Sequence, residues 1–519
     1  MQFNLADLME ANCDAFPERL AVVCGDTCLS FGALDERSTR LANHWRAHGV
    51  GEGDHVGLYL YNGQEYLECM FAAWKLRART INVNYRYVAD ELRYIVADAE
   101  LVGLIYEDDL AAPVREVGTD GMKLTMCPGA AYEAALAGAS PARDFGPRSP
   151  DDLVIIYTGG TTGMPKGVMW RHEDLFFAAL QGGNPGGEPI RDPERLSRQM
   201  KENGDGLHIH PAPPLIHGNA QLASWIALLN GGVAVLVPGR SFDPERSLDL
   251  CERYEVHSIS IVGDAMAIPL IEAVAKHPGR WDLSELNVIA SAGAVLSANL
   301  LARLEELIPS CMVLNSFGAS ETGHQGTAFY EDGKPVWFMD EEHTVVLDDD
   351  LNRVQPGSGV VGKLARFGHI PLGYYKDEDK TASTFRNKDG VRYVIPGDMA
   401  MVADDESVVF LGRGSICINS GGEKVYPEEV EEALKHHASV LDAVVVGIPD
   451  DRWGQRVEAL VTVRDTVDTQ AVARFCRTRV AGYKVPRAIW VVDDLNRQPS
   501  GKPDYTWARQ HALELGEGA

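Results

Sequence analysis

Directly after the apolar run 153–156, the chain places three threonines (Thr158, Thr161, Thr162), four glycines (Gly159, Gly160, Gly163, Gly167) and Lys166 within twelve residues. Glycines let backbone N–H groups converge on an anion, threonine hydroxyls add donors, and the lysine adds positive charge. The segment therefore reads as a loop that holds phosphate oxygens. A Walker A loop has Gly directly before its Lys and Ser or Thr directly after. Here Pro165 precedes Lys166 and Gly167 follows it, which excludes that class of loop. The plain alternative is a Gly/Thr-rich surface turn, and the density of donors argues against it.

Seven further segments carry polar groups next to glycine or proline: Pro214-Leu-Ile-His217-Gly, Ser291-Ala-Gly-Ala294, Asn315-Ser-Phe-Gly-Ala-Ser-Glu321-Thr-Gly, Tyr393-Val-Ile-Pro-Gly-Asp398, Leu411-Gly-Arg413-Gly, Ser420-Gly-Gly-Glu-Lys and Pro499-Ser-Gly-Lys502. Each alone has a bland reading. A lone His217 is more often a satisfied core histidine than a functional one. A Gly-Asp step is usually a turn, and a lysine near the carboxyl end is usually a solvated charge. In their order and rough spacing, however, they closely resemble the adenylate-forming superfamily of acyl-CoA synthetases, peptide-synthetase adenylation domains and beetle luciferases. The resemblance covers essentially the whole chain.

That resemblance implies the site. ATP or AMP would be bound by Thr158, Gly159, Gly160, Thr161, Thr162, Gly163 and Lys166, with Gly159 standing where the family usually has Ser. Gly293 and Ala294 would line the adenine side, with Asn315, Phe317 and Gly318; Phe317 replaces the usual tyrosine and keeps its stacking. Ser320 would donate to the α-phosphate and Glu321 would hold Mg²⁺. Asp398 and Arg413 would take the ribose. Lys502 would enter only for adenylation, acting with Glu321, Lys166 and Thr162. The acyl path would run past His217, Gln221, Trp225, Gly263, Asp264, Gly293 and Ala319, small or apolar positions that suit a sizeable hydrophobic acid. Ser420, Gly421, Gly422 and Lys484 would meet CoA. Ile416 replaces the usual polar hinge residue three positions after Arg413. Stretches such as Val262-Gly-Asp-Ala-Met-Ala look like the branch of bacterial ligases acting on long-chain fatty acids and steroid side-chain acids. The expected reaction joins a carboxylic acid to CoA with ATP cleaved to AMP and pyrophosphate. The rivals are an adenylation enzyme that loads a carrier protein and a non-catalytic nucleotide-binding protein; the second predicts loss of Glu321 or Lys502, and both are present.

Composition sets the outer bounds. A length of 519 residues suggests two to four folding units. A net charge of −27 with no long Lys/Arg run argues against nucleic acid as a partner. Nine scattered cysteines read as reduced intracellular thiols, so a cytoplasmic setting is expected. Cys24 and Cys28 are the one close pair and lack a matching second pair for zinc. No signal peptide is indicated, and the longest stretch free of Asp, Glu, Lys and Arg is broken by histidines, prolines and glycines, so no membrane span is expected. A homodimer is compatible with the chain.

The elements that must position these groups alternate. Residues 38–48 and 66–76 read as helices and 56–61 as a strand, an α/β pattern. A polar insert covers 181–206, followed by a helix over 221–230 and a strand over 233–237. The region 345–409 looks β-dominated. Beyond Gly412-Arg413-Gly414, helices over 428–437 and 469–480 and strands over 443–447 and 459–463 form a compact unit. The reading is thus an α/β fold: a large N-terminal domain of helix-covered sheets with a β-rich subdomain (1–412), and a small mobile α+β C-terminal domain (413–519).

Overall fold

The computed structural model describes residues 1–160, 163–202, 204–294, 296–331, 334–340, 342–420, 423–450, 454–480, 482–498 and 501–517. Thr161, Thr162, Gly421 and Gly422 lie outside them.

The large N-terminal domain is α/β. Strands Arg79–Asn82, His55–Tyr59, Leu101–Tyr106 and Leu124–Met126 form a parallel sheet. A second sheet includes the parallel strands Ile209–Pro211, Ser258–Ile261, Val288–Ala292 and Met312–Ala319. Parallel neighbours need crossovers, supplied here by helices Gly218–Leu229, Pro244–Arg253, Gly263–Lys276 and Ala298–Leu307. The same sheet then turns antiparallel and continues through hairpins to Arg413. The β-rich part thus begins at Met312, earlier than the sequence suggested, because the Gly323–Glu331 strand folds straight back on Met312–Ala319.

Element limits shift for local reasons. The helix expected at 38 starts at Phe31, where the Ser30 hydroxyl accepts from Ala33 N–H at 3.1 Å. The insert 181–206 contains the helix Leu196–Glu202 and a turn capped by Asp192. The phosphate segment is corrected in form. It is the tip of a hairpin, Leu153–Gly160 against Gly163–Arg171, with Thr158 opposite Lys166. Its β-branched run 154–156 drives extended structure up to the glycines. The register shifts at Gly159, and Pro165, which cannot donate to the ladder, has no register partner.

The smaller C-terminal domain has its own sheet of Glu423–Val425, Ile418–Ser420, Gly454–Val463, Val440–Asp450 and Ala488–Val491. Helices Pro427–Lys435 and Thr469–Cys476 bury one face around Val430, Leu434 and Val472, and Tyr505–Glu517 covers the other around Ala508 and Ala512. Among the described residues no helix is long and apolar enough to cross a membrane.

Candidate active site

The hairpin is fastened to its surroundings by polar ties. The Asn82 amide donates to Tyr157 O at 2.8 Å and Ile216 O at 2.7 Å, and accepts from Tyr157 N–H at 2.8 Å. One side chain thereby joins the phosphate hairpin to the turn carrying His217. The Trp170 indole N–H donates to Ser320 O at 2.8 Å, tying the hairpin to the segment that bears Ser320 and Glu321. The short strand Gly373–Tyr374 adds to the hairpin edge opposite Met169 and Val168. Tyr374 Oη donates to Glu321 Oε1 at 2.9 Å, and three residues on, Asp377 pairs with Lys166 Nζ at 2.8 Å. That hydrogen bond, with its charge, raises the Lys166 ammonium above its ordinary range and lowers the Asp377 carboxyl. Both chemical groups are thus held by one segment that lies some two hundred residues from the hairpin in sequence. Asn82, Trp170, Tyr374 and Asp377 were missed from sequence, since no motif announces a partner so distant.

Glu321 presents hard carboxylate oxygens of the kind Mg²⁺ accepts from one or two side chains, completing its shell with phosphates and water. Among the described residues no group of three or more His, Cys, Asp and Glu side chains gathers to hold an ion.

The residues expected at the nucleotide fall on strands of one sheet, Asn315 and Phe317 on Met312–Ala319 and Asp398 and Arg413 on two paired strands further along it. Asn315 exchanges hydrogen bonds with Leu296, its amide donating to Leu296 O at 2.8 Å and its oxygen accepting from Leu296 N–H at 3.1 Å. This pins the loop that contains Gly293 and Ala294. Gly293 has φ +89°, a conformation that favours glycine, and a Cβ there would lie 4.0 Å from Val262 Cγ1. Phe317 lies against Phe410, ring centroids 4.7 Å apart. Asp398 is buried and sits directly opposite Arg413 in the antiparallel register, so the two ribose candidates are neighbours.

His217 caps no helix with its side chain, although it precedes Gly218–Leu229. Its side chain is half-buried, and Nε2, shielded from solvent, makes no hydrogen bond among the described residues. Burial, together with the Arg86 and Lys502 charges, pushes this imidazole down to about 4. A Cβ on the adjoining Gly218 would lie 3.7 Å from Ile156 and 4.0 Å from Ser320 Oγ. The histidine turn, phosphate hairpin and Ser320 segment are therefore one locus, with Lys502 of the small domain near enough to act on the ring.

Other expected residues have their side chains committed elsewhere. Gln221 donates to Leu215 O at 2.8 Å and reaches Tyr66. Trp225 is fully buried, with its N–H on Met70 sulfur at 3.4 Å and its ring 4.3 Å from that of Trp74. Helical spacing puts both on the inner face of Gly218–Leu229. The Asp264 carboxylate turns to the domain junction, accepting from Ser297 N–H at 2.8 Å and Lys435 Nζ at 3.1 Å. Gly263 opens the helix beneath it at φ +51°, and Ala319 closes its strand with N–H on Thr322 Oγ1 at 2.9 Å. Lys484 Nζ is held by both Glu429 oxygens at 2.7 Å, and Ser420 pairs with Glu423 and Gly454. Ile416 lines a cavity of about 440 Å³ with Cys417, Tyr505 and Arg509.

Two domains share this locus, the larger supplying the hairpin and carboxylate and the smaller a single lysine. The class is that of AMP-forming acid–thiol ligases, whose substrates include ATP and CoA. The chain belongs to the AMP-binding enzyme family, whose profile matches residues 9–375, with the AMP-binding enzyme C-terminal domain matching 429–502. It is 46% identical over 536 residues to 3-oxocholest-4-en-26-oate–CoA ligase of Rhodococcus rhodochrous, covering 98% of this chain and 96% of that protein. It is also 46% identical over 535 residues to a medium/long-chain-fatty-acid–CoA/3-oxocholest-4-en-26-oate–CoA ligase of Mycolicibacterium smegmatis, with the same coverage. The fold matches ATP-bound MatB from Rhodopseudomonas palustris with TM-score 0.82 at 24% identity, over 99% of this chain and 100% of that one.

Proposed function

We propose that the protein activates a bulky hydrophobic carboxylic acid, of the long-chain, isoprenoid or steroid side-chain kind, and delivers it to CoA. His217 is the observation that carries this reading: a half-buried imidazole, held well below its ordinary pKa, whose shielded Nε2 makes no hydrogen bond among the described residues, near the hairpin and the Lys502 charge. The names of the two relatives, both ligases of cholestenoate, support the substrate class.

A carboxylate is a poor acylating agent because oxide would have to leave. Its attack on the α-phosphorus of ATP expels pyrophosphate and gives an acyl-adenylate, and attack of the CoA thiol on that carbonyl then expels AMP. Negative charge builds on oxygens around phosphorus, so the chain's work in the first step is electrostatic. Thr158, Thr161, Thr162, Lys166 and the glycines Gly159, Gly160 and Gly163 bind phosphate oxygens, and Lys166 must exchange Asp377 for them. Ser320 donates to the α-phosphate; Asp398 and Arg413 hold ribose; Gly293, Ala294, Asn315, Phe317 and Gly318 hold adenine. Glu321, oriented by Tyr374, would hold Mg²⁺, which when bound neutralises phosphate charge. Lys502 stabilises the first step only. His217, Gly263, Gly293 and Ala319 border the acyl group, backed by the wall of Gln221 and Trp225.

In this reading the small domain, bounded at 412/413 and pivoting near Ile416, moves to withdraw Lys502 and bring Ser420, Gly421, Gly422 and Lys484 to CoA. A cytoplasmic setting follows from reduced cysteines and cytosolic substrates, and a homodimer remains part of the proposal. The test is a paired kinetic comparison. His217→Ala should raise KM for the acid several-fold with KM for ATP little changed, while Asp398→Ala should do the reverse. Equal loss of both affinities in His217→Ala would remove the ring from the acyl pocket.

A further inference from the structure

The junction between the domains carries a contact that the chemistry above does not use. Helix Pro427–Lys435 presents Glu432 and Lys435, three residues apart and so on one face. Lys435 Nζ reaches Asp264 Oδ2 at 3.1 Å, with both side chains almost wholly buried. Helix Ala298–Leu307 has no side-chain cap of its own, because the Ser297 hydroxyl donates to Asp264 at 3.1 Å. The first-turn N–H of Ala298 instead donates to Glu432 Oε1 at 3.3 Å, so the small domain caps a helix of the large one.

The contact lies beside the loop that delivers Lys502. A Cβ on Gly501 would stand 3.0 Å from Val262 Cγ1, two residues before Asp264. Inside the small domain, Arg497 joins Asp442 through two bonds of 2.7 Å and donates to Gly501 O at 3.0 Å. Asp442 in turn bears electrostatically on Lys435. One chain of charges thus runs from Asp264 through Lys435, Asp442 and Arg497 to the backbone next to Lys502.

We propose that Lys435 and Asp264, with Glu432 on Ala298, form a latch that holds the small domain in its adenylating pose, making them positioning residues for the first half-reaction alone. A buried pair of this kind exists only while the two domains meet in this way, and rotation that withdraws Lys502 must break it. The assignment of half-reactions rests on the ligase reading above; the latch itself does not.

The test uses Lys435→Met and the double variant Asp264→Asn/Lys435→Met, which leaves no unpaired buried charge, with folding checked by thermal melting. Pyrophosphate release with hexadecanoate should fall about tenfold or more, while CoA attack on supplied hexadecanoyl-adenylate should stay within about twofold of the parent. Hydrogen exchange at Ala298 in the ligand-free protein should quicken in both variants. Half-reactions slowed by the same factor, an unchanged first half-reaction, or unchanged exchange at Ala298 would each overturn the latch. If hexadecanoate supports no pyrophosphate release even in the parent protein, the long-chain reading fails, and exchange at Ala298 alone still decides the latch.

Discussion

In the proposed reaction, Lys502 is the residue on which the two chemistries divide. Its loop is closed by Gln498 N–H on Lys502 O at 2.9 Å and by Gly501 at φ +78°, a left-handed turn that glycine adopts at no steric cost. Lys502→Ala should slow pyrophosphate release by about a hundredfold, the scale of losing one preorganised charge-stabilising donor. CoA attack on supplied acyl-adenylate should continue at the parent rate; loss of both would make Lys502 a folding residue. At this scale the sequence was informative where type and spacing announce chemistry, as in Glu321, Lys166 and Lys502. It was silent on Tyr374 and Asp377, an ordinary tyrosine and aspartate until the sheet places them against Glu321 and Lys166. It misjudged Asp264, because a carboxylate beside a glycine gives no sign of the lysine 171 residues away that claims it.

Helices and strands show a different balance. The α/β alternation and the β-rich stretch were legible from hydrophobic period, whereas limits depended on caps and pairings invisible to period, such as Ser30 at the start of Phe31–Ala47. In the expected phosphate segment the glycines signal a turn, while the β-branched residues before them carry a hairpin as far as Gly160. Trp225 shows what packing adds to a resemblance. The resemblance puts it by the acyl path, and the indole fills the space between Gly218–Leu229 and Gln64–Lys75. Trp225→Ala should therefore cost about 3–5 kcal/mol of stability in urea unfolding. A variant of parental stability with altered acid preference would return Trp225 to the acyl path.

At the scale of the whole molecule, buried titratable groups act in opposite directions. Burial pushes His172 down to about 3 and His210 and His217 down to about 4, from an ordinary 6.5. Their folded values lie below their unfolded ones, so the stability they contribute is present above 6.5 and lost as pH falls through 4. Burial raises Glu431 from 4.5 to about 7, against the Val445 N–H and the Lys435 charge. Its contribution is complete below 4.5 and lost as pH rises through 7. Glu431→Gln keeps the neutral form, so its melting temperature should gain on the parent between about pH 5 and about pH 8; a difference independent of pH would mean that Glu431 is ionised in the folded state. The two-domain plan and the family were legible because eight segments recur in order along the whole chain. The identity of the acid was not, because the walls that select it are set by packing between elements far apart in sequence. The account's central claim is that a bulky hydrophobic acid is adenylated here and passed to CoA. It is tested most directly by Mg²⁺- and ATP-dependent pyrophosphate release over short, aromatic, long-chain and steroid acids, each with and without CoA. The account predicts release with the long-chain or steroid acids and repeated turnover to AMP and thioester only when CoA is present. Adenylation that CoA never accelerates, or release confined to short acids, would contradict it.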